Sequence, residues 1–517
     1  MRRALLRSSL ATLLLALLVG IQAGAAPAPG AEQRGPGARP TPRRSACGCG
    51  HACGAVSYQG CGCGSISCFP GGDRLRSLSS DPVSQQVLSE QAEPARCVAG
   101  LAAGTFPCRG VDLQSHVPLA AMRAGATSGS SLWGLVDLDD GREYAVFGLN
   151  NGTAVVDVTD PASPQVVGSI AGPTSIWREV KVFQVFNAAQ RRYNAYAYVV
   201  SEAATAGLQI LDLSELPREV TLAATYRLFD TAHTVFMANV DPASGAADGS
   251  PVPPVLYVQG PRIAGIVALD LTDPIAPVHL GSFSTSYGHD IWAGVVTGAR
   301  AEACQRQDPC EIVINWAGDA IRVVDWTDKS LPQTIAELQY PDLGYAHSGW
   351  ITADGLHLLS MDEQDERITG SNSLVRVIDI TDLRNPRVVG GWHGATRAIE
   401  HNGYTRGHKY YIAHYERGLT ILDVSDPRNP REDAFFDTYP PSDNPVFHGA
   451  WGAYPYLPSG NILISNIDGA GGLFVLKEST GAGLAPGGNP RAPIVPVPNR
   501  GRNPRVSPRV DAPVSIP

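Results

Sequence analysis

Five histidines recur at similar intervals along this chain, and their imidazole rings are suited to binding a transition metal ion. They are His233, His289, His347, His401 and His448, separated by 56, 58, 54 and 47 residues. An interval of this length corresponds to one supersecondary unit per repeat. If the units close into a ring, the imidazoles meet near one axis, where they would bind Zn, Cu or Fe. The spacing therefore predicts one site assembled from five repeats.

A second motif marks the elements that would position these histidines. Gly152 begins the run Gly-Thr-Ala-Val-Val-Asp-Val-Thr-Asp-Pro, and five similar runs follow along the chain. Their central aspartates are Asp157, Asp212, Asp270, Asp325, Asp379 and Asp423. Each run is aliphatic and lies between turn residues, which is typical of a buried strand, and its aspartate is expected to cap the turn that follows. A seventh run, at Gly472, lacks the aspartate.

The repeats predict an all-β fold. Each unit contains about 50 residues and four short strands separated by turns, which is typical of a propeller blade. The prediction is a seven-bladed β-propeller with a cysteine-rich N-terminal lead-in and a disordered C-terminal tail. The predicted segments are a signal peptide at 1–25, a disordered linker at 26–46, the cysteine-rich lead-in at 47–126, the propeller at 127–480 and a Pro/Arg-rich tail at 481–517.

The amino terminus predicts export. Arg2 and Arg3 precede an apolar stretch from Leu10 to Ile21, and the small residue Ala25 follows shortly after. This pattern is typical of a cleaved secretory signal, and the apolar stretch is too short to span a bilayer comfortably. We therefore expect a secreted, cell-surface or periplasmic protein with no transmembrane segment.

The ten cysteines agree with an oxidising compartment, in which disulfides persist. Cys97 and Cys108 bracket one short loop, and Cys304 and Cys310 bracket another, so each pair is predicted to form a disulfide. The remaining six cysteines lie within residues 47–68. They predict either a small disulfide knot or a thiolate metal site with a nearby histidine.

The predicted propeller is acidic. Residues 127–480 contain 42 Asp plus Glu and 23 Lys plus Arg, a net charge of −19. Binding to a nucleic-acid backbone requires clustered Lys and Arg, so this balance argues against nucleic acid as a partner and favours cations. The acidic run from Asp362 to Glu366 predicts either a calcium site or a solvated loop.

The repeats resemble the LVIVD repeat, and residues 130–476 are similar to the choice-of-anchor B family of bacterial secreted or surface proteins. Besides the aspartate runs, the resemblance covers Asp140-Gly-Arg-Glu-Tyr-Ala, Ser175-Ile-Trp-Arg, Tyr345-Ala-His-Ser-Gly-Trp, Phe436-Asp-Thr-Tyr-Pro and Ala450-Trp-Gly-Ala-Tyr-Pro-Tyr. It implies a repeat propeller, export and a variable C-terminal anchor. It implies no particular reaction.

Alignment of the repeats adds further candidates to the predicted site. Trp133 and Trp177 take the histidine position in blades one and two, and the next residue, Arg178, would either bind an anionic ligand or pair with Glu179. Turns between the second and third strands should reach the same mouth of the channel. Candidates in these turns include Glu202, Asp362 and His414. Together these residues predict a concave, polar ligand site.

Three interpretations of the histidines stay open: a bound transition metal, a metal-free polar ligand site, and a purely structural ring. The leading functional prediction is a binding or scaffold propeller for an extracellular protein, a glycan or a small ligand. The alternative is a metal-dependent extracytoplasmic enzyme, for example an oxidoreductase, with His233, His289, His347 and His401 as ligands. The sequence contains no Gly-x-Ser-x-Gly, phosphate-loop or His-Glu-x-x-His motif.

Overall fold

The structure, a computed structural model, describes residues 92–260, 265–306, 309–468 and 471–479. The predicted signal peptide, the linker, the six clustered cysteines and the tail lie outside these ranges. Among the described residues, no helix has both the length and the apolar character needed to cross a bilayer.

Seven antiparallel sheets, each containing one four-stranded blade, make up the fold, as the repeats predict. Strands β1 (Leu101–Ala102), β2 (Phe106–Arg109) and β3 (Val111–Pro118) come first. Blade one contains β4 (Gly129–Val136), β5 (Glu143–Leu149), β6 (Gly152–Asp157) and β7 (Gln165–Ala171); blade two contains β8 (Arg178–Asn187), β9 (Arg192–Ser201), β10 (Leu208–Asp212) and β11 (Thr221–Tyr226). Blade three contains β12 (Thr234–Ala238), β13 (Val255–Gln259), β14 (Ile266–Asp270) and β15 (Val278–Phe283); blade four contains β16 (Asp290–Val296), β17 (Cys310–Trp316), β18 (Ile321–Asp325) and β19 (Gln333–Leu338).

The remaining blades follow the same order. Blade five contains β20 (Ala346–Ile351), β21 (His357–Asp362), β22 (Leu374–Asp379) and β23 (Arg387–His393); blade six contains β24 (Asn402–Arg406), β25 (Lys409–His414), β26 (Gly418–Asp423) and β27 (Arg431–Phe436). Blade seven contains β28 (Ala450–Tyr454), β29 (Asn461–Asn466), β30 (Gly472–Glu478) and the early strand β3. Within the described ranges, the helices are α1 (Leu119–Met122), α2 (Asp365–Thr369) and a 3-10 turn at Gly298–Ala303.

The ring is closed by a strand from the beginning of the chain. Strand β3 pairs antiparallel with β30, so that Val111 lies opposite Glu478 and Pro118 lies opposite Gly472. The first strand of each blade packs against the first strands of both neighbouring blades, and these seven strands surround a central channel. Strand β3 belongs to the range predicted as a lead-in, so the propeller takes one strand from before residue 127. Strands β2 and β1 extend the sheet of blade six.

The aspartate motif caps turns, as expected from the sequence. In all six turns, the aspartate Oδ1 accepts a hydrogen bond of 2.8 to 3.0 Å from the backbone N–H two residues later. The third strands that precede these turns are buried on both faces; Val155 and Val156 are fully buried, for example. Each third strand therefore belongs to the core, and its aspartate ends the strand by capping the turn that follows.

Both predicted disulfides are confirmed. Cys97 is bonded to Cys108 and Cys304 is bonded to Cys310, with Cα atoms 5.9 Å apart in each pair. The first disulfide holds the segment before β1 against β2. The second closes the short connection between the 3-10 turn and β17, where both cysteines are buried.

Candidate functional site

Four of the five predicted histidines lie side by side at one end of the channel. His233, His289 and His401 directly precede the first strands of their blades, and His347 lies in a bulge of β20 between Ala346 and Ser348. Successive ring centroids are 4.4, 4.3 and 4.5 Å apart in the order 233, 289, 347, 401. The repeat therefore brings residues separated by more than 160 positions into one row of imidazoles.

The Nδ1 atom of each imidazole has a hydrogen-bond partner that can only accept. His289 Nδ1 donates to the His347 backbone oxygen and His347 Nδ1 donates to the His401 backbone oxygen, both at 3.0 Å. His401 Nδ1 donates to the Trp451 backbone oxygen at 2.6 Å. In a neutral ring only one nitrogen carries a proton, so these bonds leave Nε2 with a free lone pair in all three rings.

His233 differs from the other three because its partner is a side chain. Its Nδ1 lies 2.8 Å from Glu202 Oε1, and both side chains are largely buried. Burial by itself lowers the pKa of His233, but the hydrogen bond and negative charge of Glu202 outweigh this effect, so the pKa is raised. Burial lowers the pKa of His401 to about 3 and the pKa values of His289 and His347 well below their usual range. Those three rings are neutral at physiological pH.

Glu363 joins two of the histidines in one group of ligand atoms. Its Oε1 lies 3.7 Å from Nε2 of both His347 and His401, and one ligand atom from each of the three residues lies within 4.8 Å of the other two. These distances are too long for hydrogen bonds. They approach the spacing of about 3.4 Å expected between two ligands held about 2.1 Å from one tetrahedral ion. Tyr415 donates a hydrogen bond of 2.8 Å to the same oxygen and so orients the carboxylate.

Two other predicted ring members lie elsewhere. His448 Nδ1 contacts the Tyr439 hydroxyl at 3.1 Å and Glu416 at 3.2 Å, and Trp451 occupies the place beside His401, with ring centroids 4.7 Å apart. Trp133 lies deeper in the channel and packs edge-on against Tyr404 and Tyr454. Trp177, by contrast, does line the mouth with the four histidines.

The other candidates have partners that define structural roles. The Arg178 guanidinium donates to the backbone oxygens of Leu149 at 2.8 Å and Pro173 at 2.7 Å, so it is neither a free anion-binding group nor the partner of a glutamate. Asp362 is fully buried and accepts backbone N–H bonds from Gly344 and Tyr345.

His414 is buried as well. Its Nδ1 lies 3.0 Å from the Thr420 hydroxyl and its Nε2 lies 2.8 Å from the Ser373 hydroxyl, so both ring nitrogens are occupied away from the mouth. Of the three predicted turn residues, only Glu202 reaches the histidine row.

Below the histidines, the channel contains charged side chains that the sequence did not assign to the site. Glu179 and Lys181, successive inward residues of β8, form a buried ion pair. Asp290 lines the same section, and burial raises its pKa to about 7. The far end opens into a cavity of about 650 Å³ whose walls include Trp133, Trp292 and Trp350. Its size matches that of sites for small organic ligands.

The acidic run is not a solvated loop. All four acidic residues of the run are buried: Asp362 is the last residue of β21, and Glu363, Asp365 and Glu366 lie in the connection to β22. Arg376 supplies the nearest positive charge, with Nη1 2.9 Å from Asp365 and 3.8 Å from Asp362. The sequence could not show this burial, because Arg376 lies outside the run and joins it only in the folded blade.

Comparisons with known proteins identify the repeat. The LVIVD repeat family model matches residues 143–171 and 407–438, which cover the second to fourth strands of blades one and six. No curated protein matches the sequence.

Similar solved structures include three proteins of low sequence identity. They are a protein from Lactobacillus plantarum (13% identity, TM-score 0.41, covering 62% of this chain and 84% of that chain), a hypothetical selenium-binding protein from Sulfolobus tokodaii (14%, 0.41, 69% and 91%) and a functionally unknown protein from Desulfotomaculum acetoxidans (11%, 0.39, 62% and 93%). All three similarities are weak.

Proposed function

We propose that this LVIVD-repeat propeller is a secreted or cell-surface binding protein of the choice-of-anchor B type, which captures its ligand through a transition metal ion at the histidine mouth. The ion would be Zn, Cu or Fe, held by His347, His401 and Glu363, with His289 and His233 beside it. The observation that carries the proposal is the orientation of the imidazoles. Their Nδ1 atoms are occupied by acceptors, so their Nε2 lone pairs are free, and the same histidines line the mouth of the channel.

A purely structural role for the histidines explains the hydrogen bonds of Nδ1 but not the free lone pairs of Nε2. Hydrogen bonds from Nδ1 do connect neighbouring blades, but hydroxyl groups make similar links. Thr234 donates to the His289 backbone oxygen at 2.6 Å, and Ser348 donates to the same His401 oxygen that His347 uses. Blade linkage therefore does not require imidazole. A ligating role accounts for the Nε2 atoms as well, because a bound imidazole is normally oriented by a hydrogen bond from its other nitrogen.

The chemistry of the ligand set also suits capture of a further molecule. Two imidazoles and one carboxylate leave a fourth position open on a tetrahedral ion, as in sites that bind water or substrate. Trp177 and Trp451 flank the mouth and offer apolar surfaces to the bound molecule. We therefore propose a small ligand, or an exposed group of a glycan or protein, that supplies one donor atom to the ion.

Metal analysis of the full-length protein, purified without chelator, tests this proposal. Wild-type protein should contain about one equivalent of transition metal or take it up on exposure to Zn, Cu or Fe. His347→Asn should lose the ion, because it removes Nε2. His393→Asn, at an exposed position in β23, is the matched control and should bind as the wild type does. Wild-type protein that binds none of these ions would refute the proposal.

A second candidate function is catalysis at the same ion. The observation that favours it is the hydrogen-bonded pair of Glu202 and His233, which lies at the end of the histidine row beside His289. Such a pair would transfer a proton to or from a molecule bound at the open position. Enzyme function predicts an activity of the metal-loaded protein that Glu202→Gln lacks at equal metal content. An activity that Glu202→Gln retains in full would remove the pair from the mechanism.

A further inference from the structure

Three carboxylates lie together behind the histidine row and take no part in the site described above. Asp365 and Glu366 begin helix α2, and Glu400 directly precedes His401 in the chain. One oxygen from each residue lies within 4.8 Å of the other two. The three residues are 1%, 0% and 0% exposed, so water does not solvate their charges.

The hydrogen bonding of these carboxylates is incomplete. As ionised carboxylates, both oxygens of Glu366, both oxygens of Glu400 and Oδ1 of Asp365 are buried without a hydrogen-bond donor among the described residues, and Glu366 and Glu400 can bond to each other only when one of them carries a proton. Glu400 comes from a different blade than α2 and points its unpartnered carboxylate into the group. A buried carboxylate without partners is costly, by several kcal/mol in real proteins, so this arrangement requires a neutralising group.

The positive charge around the group does not supply that neutralisation. Of the three carboxylates, Arg376 contacts only that of Asp365, with Nη1 2.9 Å from Oδ2. Outside the group, the same Nη1 lies 3.8 Å from Asp362. Arg397 donates to the backbone oxygen of Glu366 rather than to its carboxylate, at 2.9 Å. One guanidinium is thus shared between two aspartates, and Glu366 and Glu400 have no cation of their own among the described contacts.

We propose that Asp365, Glu366 and Glu400 form a binding site for a hard divalent cation, and that the cation is calcium. Calcium takes six to eight oxygen ligands at 2.3 to 2.6 Å, and carboxylates bind it with one or both oxygens. Two oxygens on opposite sides of such an ion are about 4.8 Å apart, and one oxygen from each of the three carboxylates lies within that distance of the other two, so all three can reach one ion. An all-oxygen set also selects against the softer metals that imidazole prefers.

The alternative is a shared proton. Burial raises the pKa of Glu366, and it raises that of Glu400 to about 8. Without a cation, both pKa values therefore lie above neutral pH, and a proton held by one carboxyl can bond to an oxygen of the other. A bound calcium ion and a bound proton would both neutralise the carboxylates. Only the calcium proposal predicts that added calcium binds and displaces the protons.

Occupancy would have a structural consequence for the histidine mouth. The calcium ligands Asp365 and Glu366 follow Glu363 in the same connection, and Glu400 is joined to His401. A calcium ion would therefore fix two residues of the proposed transition metal site from behind. The calcium proposal does not depend on that site, since it uses different residues and a different class of ion.

Calcium binding to the full-length protein tests the inference. The parent protein for this test carries His347→Asn, so that the imidazole site does not contribute, and the further variants are made in that parent. Equilibrium dialysis against calcium should give about one equivalent bound. Glu400→Gln and Glu366→Gln should each weaken binding at least 100-fold, whereas Glu219→Gln, an exposed glutamate of blade two, should not change it. Magnesium at equal concentration should bind more weakly, since it demands a smaller octahedral site.

The outcomes separate the two explanations. Absence of calcium binding by the parent protein would overturn the inference and leave the shared proton. Equal binding by the parent, Glu366→Gln and Glu400→Gln would place the ion elsewhere and would also overturn it. Thermal unfolding in the absence of calcium checks that the variants fold, and we expect them to be at least as stable as the parent because each removes a buried carboxylate. If either variant fails to fold, the other and the stoichiometry of the parent still decide the question.

Discussion

Replacement of His347 by two different residues separates its structural contribution from its ligating contribution. His347→Asn retains an N–H group three bonds from Cα, where Nδ1 stands, and removes Nε2. His347→Ala removes both. The Nδ1 hydrogen bond to the His401 oxygen is 3.0 Å long, and the side chain is 3% exposed. A hydrogen bond of this kind contributes about 1 kcal/mol to folding.

These values give distinct expectations for stability. His347→Ala loses the hydrogen bond and leaves a cavity, so the free energy of unfolding should fall by about 2 to 3 kcal/mol. His347→Asn should lose less than about 1 kcal/mol, because a donor remains near the His401 oxygen. Urea unfolding followed by circular dichroism measures both changes, and equal slopes with denaturant would show that the unfolded states are comparable.

Metal affinity should fall in both variants alike, because both of them lack Nε2. Loss of a residue that merely orients a ligand reduces affinity by about 10- to 100-fold, so loss of a ligand should cost more than about 100-fold in both variants. Competition with a chromophoric chelator measures this. If His347→Asn bound metal as tightly as the wild type, Nε2 would not be a ligand. If both variants lost stability equally, the assignment of a structural role to Nδ1 and a ligating role to Nε2 would be incorrect.

Three further predictions concern the scaffold. Burial raises the pKa of Asp437 to about 7, so wild-type protein should lose stability as pH rises from about 4 through 7; Asp437→Asn should remove this loss and be the more stable protein at pH 8 in denaturant titrations. The double variant Cys304→Ser, Cys310→Ser should lower the free energy of unfolding by about 2 kcal/mol, as expected for so short a loop, measured by thermal or urea unfolding. A chain beginning at residue 119 lacks β3 and exposes the edge of β30; it should aggregate in size-exclusion chromatography, whereas a soluble monomer would contradict closure by β3.

The sequence predicts the blades well because their signals are local. The aspartate of each motif bonds to the backbone two residues later, so Asp157 or Asp423 specifies a turn without information from the rest of the chain. The strand β3 carries no such signal. Its place is decided by pairing with β30, more than 350 residues away in sequence, and no local pattern reports that contact.

The candidate site could be predicted only in part because β-bulges shift register. In blade seven the pairing shifts between Ala450 and Gly452, which places Trp451 where blades three to six have histidine. In blade one a shift between Gly129 and Leu132 precedes Trp133 and moves it down the channel. A bulge changes which side chain faces inward, and a count of residues along the sequence does not show it.

The sequence also did not predict that Glu363 is the carboxylate next to the histidines. The acidic run suggested carboxylates in contact with water, yet folding buries all of them and sends only Glu363 towards Nε2 of His347 and His401. The choice is made by partners outside the run. Tyr415 binds Glu363, and Arg376 holds Asp365.

X-ray absorption spectroscopy of metal-loaded, full-length protein tests the central claim most directly, because it reports the ligands of the ion itself. The proposed site predicts about two imidazole nitrogens at about 2.0 Å and one carboxylate oxygen at a similar distance. In His347→Asn the imidazole contribution should fall or the ion should be lost. A spectrum without imidazole scattering, or with sulfur ligands, would contradict the claim that the histidine mouth holds the metal.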